Sequence, residues 1–455
     1  MIRRCGVAII GGGISGLTTA YYLRRLRPQL SIALLEASRF WGGKIITERG
    51  DGRVIEWGPD SVIASKPHAL ELAGELGLGD QILSSNPENS RTLVFKRGKL
   101  IPIPEGFFLL APRALRSLWK SDLFSLSAKW DILWERFRPA EKDLQDESIA
   151  SFVRRRFGQE ALELLGGPLL AGIYMGDPEK LSMRSTFPQL VEMEKKQGSV
   201  TAGIKARQPA SAGGRSLFVS LRDGMESLVR AILANLDVAL CPETPARRVE
   251  RDAGSYRIRT GGDDILAERV VVCVDPENAF RLLEPLKRIT ELKEFSAVSS
   301  VVVVLVYGPD VALPNAYGVV IPRLENKQIA AISFSSKKFP GRVPAGESML
   351  RVFLGGYDRE AILEKDNSAI LQIASEELRE ILGITSTPRF SRVIRWGRAN
   401  PQYLIGHEEK MAYVRQALKS LPGVYLLGSS YGGVGVPDCV AQARQVAEEM
   451  LKGMV

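Results

Sequence analysis

The chain is poor in histidine and cysteine, which many enzymes use for metal, thiol and proton-transfer chemistry. Its 455 residues include two histidines, His68 and His407, and four cysteines, Cys5, Cys241, Cys273 and Cys439. So few histidines leave almost no room for a His-centred metal site or a serine triad, and no metal is expected. The cysteines are far apart and show no CxxC spacing, which fits a reduced, cytoplasmic setting. Long apolar runs are also missing. The most apolar stretch, SSVVVVLVY at Ser299 to Tyr307, is β-branched and too short to span a bilayer, so no transmembrane helix is expected. The opening MIRRCGVAII mimics a signal peptide, but it breaks at three consecutive glycines without a small-residue cleavage site and reads as a buried strand. No Lys/Arg run is long enough, or interleaved densely enough with aromatics, to argue for nucleic acid.

What is present is an ordinary globular balance, 45% hydrophobic and 25% charged, with room for two or three domains. The formal net charge of +9 favours an acidic partner, either an anionic lipid surface or a polycarboxylate substrate.

Glycine is abundant, and its placement carries chemistry. In VAIIGGGISGL, Val7 to Ile10 reads as a parallel strand, Gly11, Gly13 and Gly16 fit G-x-G-x-x-G, and Leu17 to Arg27 reads as a helix. Gly11 permits the tight turn, Gly13 lets a pyrophosphate touch the backbone, and Gly16 lets helix and strand pack closely. Gly12, Ile14 and Ser15 complete the loop. The next strand, SIALLE, ends in Glu36, where a carboxylate can accept hydrogen bonds from ribose hydroxyls and would repel a 2′-phosphate.

A second glycine pair, Gly42 and Gly43, follows between Arg39 and Lys44, with Ala37 just before. Nicotinamide dehydrogenases have no need of it; a longer flavin dinucleotide does, because its pyrophosphate and ribityl chain require further close backbone approach and nearby positive charge. Gly58, Pro59, Asp60 and Ser61 then form another tight turn after a strand. Near the C-terminus, VYLLGSSYGGVGVPDC repeats the strand-loop-helix scheme with Pro437 opening the helix, whose N-terminus would stabilise negative charge on a reduced flavin.

With these residues in view, the chain resembles the oxygen-dependent protoporphyrinogen oxidase family, including its bacterial coproporphyrinogen III oxidase members, within the amine oxidase-like flavoproteins. The resemblance covers nearly the full length and rests on GGGISGL, EASRFWGGK, EWGPDS, AGIYMGDPEKLSMRSTFP, RWGRANPQYLIGH and GSSYGGVGVPDC. It implies an α/β protein with a Rossmann-like FAD-binding domain (1–85, 215–285 and 395–455), an antiparallel-sheet substrate domain (86–104 and 286–394) and a helical membrane-facing subdomain (105–214). It places FAD contacts on Gly11 to Gly16, Glu36, Ala37, Gly42, Gly43, the Gly58 to Ser61 turn, Val249, Trp396, Ser429, Val434, Gly435 and Val436. Lys44 departs from the Arg or apolar residue of many relatives, and Asp223 from their glycine. With no attachment motif at any cysteine, the FAD is expected to be non-covalent.

The reaction implied is oxidation of a porphyrinogen to the porphyrin in heme biosynthesis, with six electrons passed to O2 as H2O2; protoporphyrinogen IX and coproporphyrinogen III both remain open as substrate. No catalytic side chain is assigned, since the flavin carries the chemistry. Arg91 is the candidate propionate anchor, though a solvated strand arginine is the other reading. Gly172 lies where the family brings backbone close to the reacting ring. Tyr174 and Phe187 either line an apolar slot or belong to the core. His407 is expected to be structural and His68 to lie at the surface. The stretch 105–140 mixes Phe, Leu and Trp with Lys and Arg, so it either lies on an anionic membrane from the cytoplasmic side or packs as a helix pair on its own domain. A monomer and a homodimer are both compatible. The alternatives are another flavin amine oxidase, a carotenoid desaturase, or a non-catalytic scaffold of the same fold.

Overall fold

The computed structural model describes residues 2–108, 111–112, 115–141, 145–206 and 216–453. Of the expected helical stretch 105–214, residues 109–110, 113–114, 142–144 and 207–214 therefore lie outside the described residues. The chain forms two compact units, one from Met1–Ser84, Ala212–Ser296 and Glu408–Val455, the other from Ser85–Ser211 and Ala297–His407.

The first unit is built on a sheet ordered Ala239–Cys241, Ile32–Leu35, Ile2–Ile10, Asp264–Val272, Ser255–Arg259 and Arg248–Asp252, with Val424–Leu426 also paired to Asp264–Val272. The strands up to Asp264–Val272, together with Val424–Leu426, run parallel. The hairpin Arg248–Asp252/Ser255–Arg259 joins antiparallel at the early half of Asp264–Val272. Side chains alternate between two cores. Val7, Ile9, Ile32, Leu34 and Val271 face one, while Ala8, Ile10, Ala33, Leu35, Val270 and Val272 face the other. Burial on both faces explains why these strands read as unbroken apolar runs.

Helices Ile14–Leu26, Glu226–Ala234 and Val436–Lys452 cover the first face through Leu17, Leu23, Ile232, Val440 and Ala443. Pro276–Leu283 covers the second with Phe280 and Leu283. Register brings the strand ends level, Ile10 beside Leu35 and Val272, and Val272 beside Leu426. The loops that leave this common edge are where an open parallel sheet binds ligands.

The second unit holds a seven-stranded sheet ordered Phe390–Gln402, Ser296–Tyr307, Ser348–Gly355, Ile329–Ser333, Gly318–Val320, Thr92–Lys96 and Lys99–Pro102. It is mostly antiparallel, with one parallel pairing between Gly318–Val320 and Thr92–Lys96. The run SAVSSVVVVLVY becomes a long, deeply buried strand within it. Helix Asn367–Leu382 lays Ile370, Ala374, Leu378 and Ile381 on Val301, Val303 and Leu305. That spacing is one face of an α-helix; Asp366 caps the start by accepting from Ala369 N–H, and Gly383 ends it at φ 70°.

Around this sheet the same unit carries a helical region with Leu115–Lys120, Leu126–Trp134, Ile149–Phe157, Pro188–Gln197 and Val200–Ala206. Its interior is polar as well as apolar. Arg156, Glu135 and Glu194 are all fully buried. The Arg156 guanidinium donates to Glu135, and Glu135 also accepts from Ser199 Oγ (2.7 Å), Val200 N–H (2.9 Å) and Thr201 N–H (3.1 Å) at the start of the helix Val200–Ala206. Glu194 Oε1 accepts from Arg155 Nη1 at 2.6 Å and Arg156 Nη1 at 3.4 Å. Burial alone would raise the Glu135 carboxyl, but the hydrogen bonds and the Arg156 charge outweigh it and hold the group below its ordinary value.

Candidate functional site

The glycine loop and its neighbours converge at the level edge of the first unit's sheet. Gly11 has φ +110°, a conformation that L side chains rarely adopt, and its N–H donates to Leu35 O at 2.8 Å. Gly16 fits only as glycine, since a Cβ there would stand 2.0 Å from Gly11 O. Gly12 is covered by Trp41, whose ring would lie 2.4 Å from an added Cβ. Gly13 differs. It caps the helix Ile14–Leu26 with ordinary φ (−72°), and the nearest atom to an added Cβ is Gly43 Cα at 4.0 Å. Gly13 thus faces open space at the helix N-terminus, beside the N–H groups of Ile14, Ser15 and Gly16 that have no intrahelical carbonyl.

The second glycine pair closes on the first. Gly42 N–H donates to Gly12 O at 2.8 Å, Gly13 and Gly42 form a parallel bridge, and Gly43 has φ +61°. Glu36 ties the loop down from the neighbouring strand end, accepting from Gly12 N–H and from Ser38 N–H, each at 2.8 Å. Each carboxylate oxygen keeps a second lone pair for a ligand hydroxyl. Ala37 and Arg39 follow at the surface, with the Arg39 guanidinium 4.6 Å from the Phe40 ring centroid.

Lys44 keeps contact with solvent although protein surrounds it closely. Loss of hydration lowers its ammonium pKa, while nearby Cys439 and Asp275 oppose that shift. The Gly58 to Ser61 turn follows the strand Arg53–Glu56; Asp60 O accepts from Ser220 Oγ at 2.7 Å, and Ser61 Oγ donates to Asp60 Oδ1 at 2.7 Å. Val249 is buried in the hairpin opposite Ile258.

At the other end of the chain, Ser429 and Val434 lie in the loop that leads to Gly435, the N-cap of the helix Val436–Lys452. Asp438 in its first turn accepts from Gly435 N–H at 3.3 Å and pairs with Lys66 at 2.7 Å. Two helix N-termini therefore open on this edge, and each attracts negative charge. Cys439 is buried next to Ser15, and burial pushes its thiol up to about 11; burial also raises Cys273. Thiols held protonated in this way are poor nucleophiles.

The remaining candidates lie in the second unit, except His68, which lies in the first. Trp396 is half-buried on the strand Phe390–Gln402. Gly172 opens the short helical turn Gly172–Tyr174. Tyr174 and Phe187 pack edge-to-face at 6.4 Å between centroids, and Tyr174 also meets Tyr403 at 5.7 Å; both residues are buried. His407 is buried with its ring stacked on Tyr403 at 4.0 Å. Arg91 is at the surface, 3.0 Å from Glu105. His68 starts the helix His68–Glu75, half-exposed, 3.6 Å from Glu71. Among the described residues, no group of three His, Cys, Asp or Glu side chains is placed to hold a metal. Sequence reasoning missed Trp41, although an aromatic immediately before the glycine pair was its visible signal.

The glycine cradle, the acid at the adjacent strand end and the second helix N-terminus suit a dinucleotide in an extended form. The profile of the flavin containing amine oxidoreductases matches residues 14–451. Coproporphyrinogen III oxidase of Bacillus subtilis (strain 168) is 34% identical over 98% of this chain and 97% of its own length. That of Staphylococcus aureus (strain NCTC 8325 / PS 47) is 30% identical over 98% of both. A crystal structure from Exiguobacterium sp. 255-15, assigned as a protoporphyrinogen oxidase, superposes with a TM-score of 0.89 at 31% identity over 98% of both chains. The chain belongs to the flavin-containing amine oxidoreductases, in the group that holds these porphyrinogen oxidases.

Proposed function

We propose that the protein is an FAD-dependent oxidase that converts a porphyrinogen, with coproporphyrinogen III as the first candidate, to the porphyrin in heme biosynthesis. The observation that carries this is full-length similarity to the two coproporphyrinogen III oxidases together with a cradle that leaves Gly13 open and Glu36 poised at one sheet edge. The chemistry that a bound flavin supplies is repeated two-electron oxidation of the macrocycle, with the electrons passed to O2 as H2O2.

The chain's own part is to hold and orient. Gly11 to Gly16, Gly42, Gly43 and Lys44 would meet the pyrophosphate and ribityl chain, with Arg39 adding positive charge at the loop's edge. Glu36 would hold the ribose, Ala37 and Val249 would border the adenosine end, and Gly58 to Ser61, Ser429 and Val434 to Val436 would border the ring system; the family resemblance adds Trp396 as an FAD contact. The protonated Cys439 and Cys273 thiols support non-covalent attachment. On the substrate side Arg91 would anchor a propionate, Gly172 would meet the ring with backbone, and Tyr174 and Phe187 would support that turn from the core.

The first compact unit would then be the cofactor domain and the second unit's sheet the substrate domain, with the helical stretch 105–214 as a subdomain. That stretch exposes Trp119, Leu126, Trp130, Trp134 and Phe137 beside the exposed cations Arg116, Lys120 and Arg136. Interfacial aromatics with basic neighbours suit an anionic lipid surface. No helix among the described residues is long and apolar enough to cross a membrane, so attachment by this face would be peripheral. Vesicles containing phosphatidylserine should bind the protein at low salt and release it at high salt; equal binding to neutral vesicles would remove the electrostatic part of the proposal.

The deciding experiment follows porphyrin fluorescence and H2O2 from coproporphyrinogen III and protoporphyrinogen IX in parallel. Flavin released by acid should be FAD. A yellow protein that oxidises neither porphyrinogen would sink the functional reading, and a colourless one would point to the non-catalytic scaffold.

A further inference from the structure

The segment LELLGGPLLA, Leu162 to Ala171, contains Pro168, which an α-helix tolerates badly. Proline there would forfeit the N–H bond to the carbonyl of Leu164 and press its ring against that same carbonyl. The chain runs these 10 residues as a π-helix, which recovers no bond for Pro168 but gives its ring a wider turn, and the N–H of Gly172 closes the last wide turn on Gly167 O. Such wide turns are rare, occur mostly as single-turn bulges, and cluster at functional sites. A run of 10 is long, and an unfavourable backbone form of this extent persists only where its surroundings over-determine it.

The surroundings hold both ends, and Pro168 disfavours the α register between them. Upstream, Leu162, Leu164, Leu165 and Leu170 are buried. Gly166 lies against Val153 of the helix Ile149–Phe157 so closely that an added Cβ would come within 3.2 Å. Downstream, Tyr174 O accepts from Gln402 Nε2 at 2.7 Å, and Met175, at φ +52°, accepts at its carbonyl from Tyr357 N–H at 2.9 Å. Between these fixed ends lie Gly172 and Ile173, and Ile173 is 55% exposed although Tyr174 beside it is buried. Each π turn holds about one residue more than an α turn, so a 10-residue run lags about half a turn behind an α-helix. The π register therefore decides which way the Gly172–Ile173 backbone faces.

We propose that the π segment is the positioning element for the substrate-facing turn and that Pro168 is its positioning residue, acting through Gly172 rather than by touching substrate. The proposal rests on the porphyrinogen oxidase reading for the placement of substrate at Gly172; the link from Pro168 to the register of that turn stands apart from it. Pro168→Ala restores an N–H and permits the α register. Removing proline from a helix interior relieves a local cost, so thermal stability should stay level or rise. FAD content and photoreduction of the bound flavin should match wild type. kcat should fall by about tenfold to a hundredfold with KM changed far less, because a misplaced contact costs most where geometry is most demanding.

Hydrogen exchange supplies the arm that needs no substrate: amides of Gly172 to Met175 should change protection in Pro168→Ala while those of Ile149–Phe157 do not. Unchanged exchange at Gly172 to Met175 overturns the proposal, as does wild-type kcat in a variant whose exchange has changed. A fall in melting temperature that parallels the loss of kcat also overturns it, by showing a merely structural role. If wild type itself turns over neither porphyrinogen, the functional reading fails, and the exchange arm still decides whether Pro168 sets the turn.

Discussion

Single glycines in the cradle have different jobs, and substitution should separate them. Gly13 has room for a Cβ and ordinary φ, so Gly13→Val should fold normally and fill the space that a pyrophosphate would use. Gly16→Val has no such room and should fail at the level of the fold, because the Cβ would collide with the Gly11 carbonyl. Far-ultraviolet circular dichroism and flavin content together distinguish the two; a yellow, folded Gly13→Val would remove the basis for the cradle. Arg91 calls for a different readout. Its ion pair with Glu105 is solvent-exposed, so Arg91→Ala should change stability by no more than about 0.5 kcal/mol. If Arg91 also anchors a propionate, KM should rise about tenfold or more, with kcat affected less. Wild-type KM would move the assignment to another cation. The meeting of Glu36 with the loop glycines at one sheet edge was legible, because each lies within a few residues of a strand end. Trp41 over Gly12 was not, since nothing in a one-dimensional pattern says which ring closes on which backbone.

Among the elements, the helical region depends on charges that its sequence gives no reason to bury. Arg156 serves two carboxylates, so Arg156→Met leaves Glu135 and Glu194 without its charge and should cost about 3–5 kcal/mol, measured by denaturant unfolding at neutral pH. The double variant Arg156→Met/Glu135→Gln should lose less than the sum of the singles. The acid limb follows from the sign of the shift. Glu135 is held below its ordinary value of 4.5, so its contribution is complete above that pH and is lost as pH falls through the lower folded-state value. Glu135→Gln should therefore flatten the loss of stability on acidification; an unchanged acid limb would show that other carboxylates dominate. The mostly helical character of the stretch from 105 was legible in the sequence pattern, although Phe107–Phe108 and Ala111–Pro112 form a two-stranded sheet there; neither the ion network nor the i→i+5 register was. Ion pairs between residues 21 and 38 positions apart leave no local periodicity, and Pro168 announces a disturbed helix without saying which form relieves it.

For the whole molecule, the order of segments matters as much as their content. The parallel sheet draws strands from three separated stretches of chain, and the helix Val436–Lys452 packs on Ile14–Leu26 through Val440, Ala443 and Ala447. Strands, turns and the α/β class were legible because apolar runs and glycine punctuation are local; the pairing of Asp264–Val272 with both a hairpin and a near-terminal strand was not. A chain stopped after Gly435 should therefore lose flavin as completely as one altered at the first glycine loop, even though every residue of that loop is intact. Flavin retention by such a truncated chain would contradict the role given to the last helix.

On the ribosome, the same arrangement sets a timetable. The glycine loop Gly11 to Gly16 is made well before the helix Val436–Lys452, which shares its core. Until that helix is made, a nascent chain carries the loop beside an unfinished core. Flavin supply should thus act on finished chains rather than on growing ones, and flavin starvation should leave full-length protein that refills when the cofactor returns.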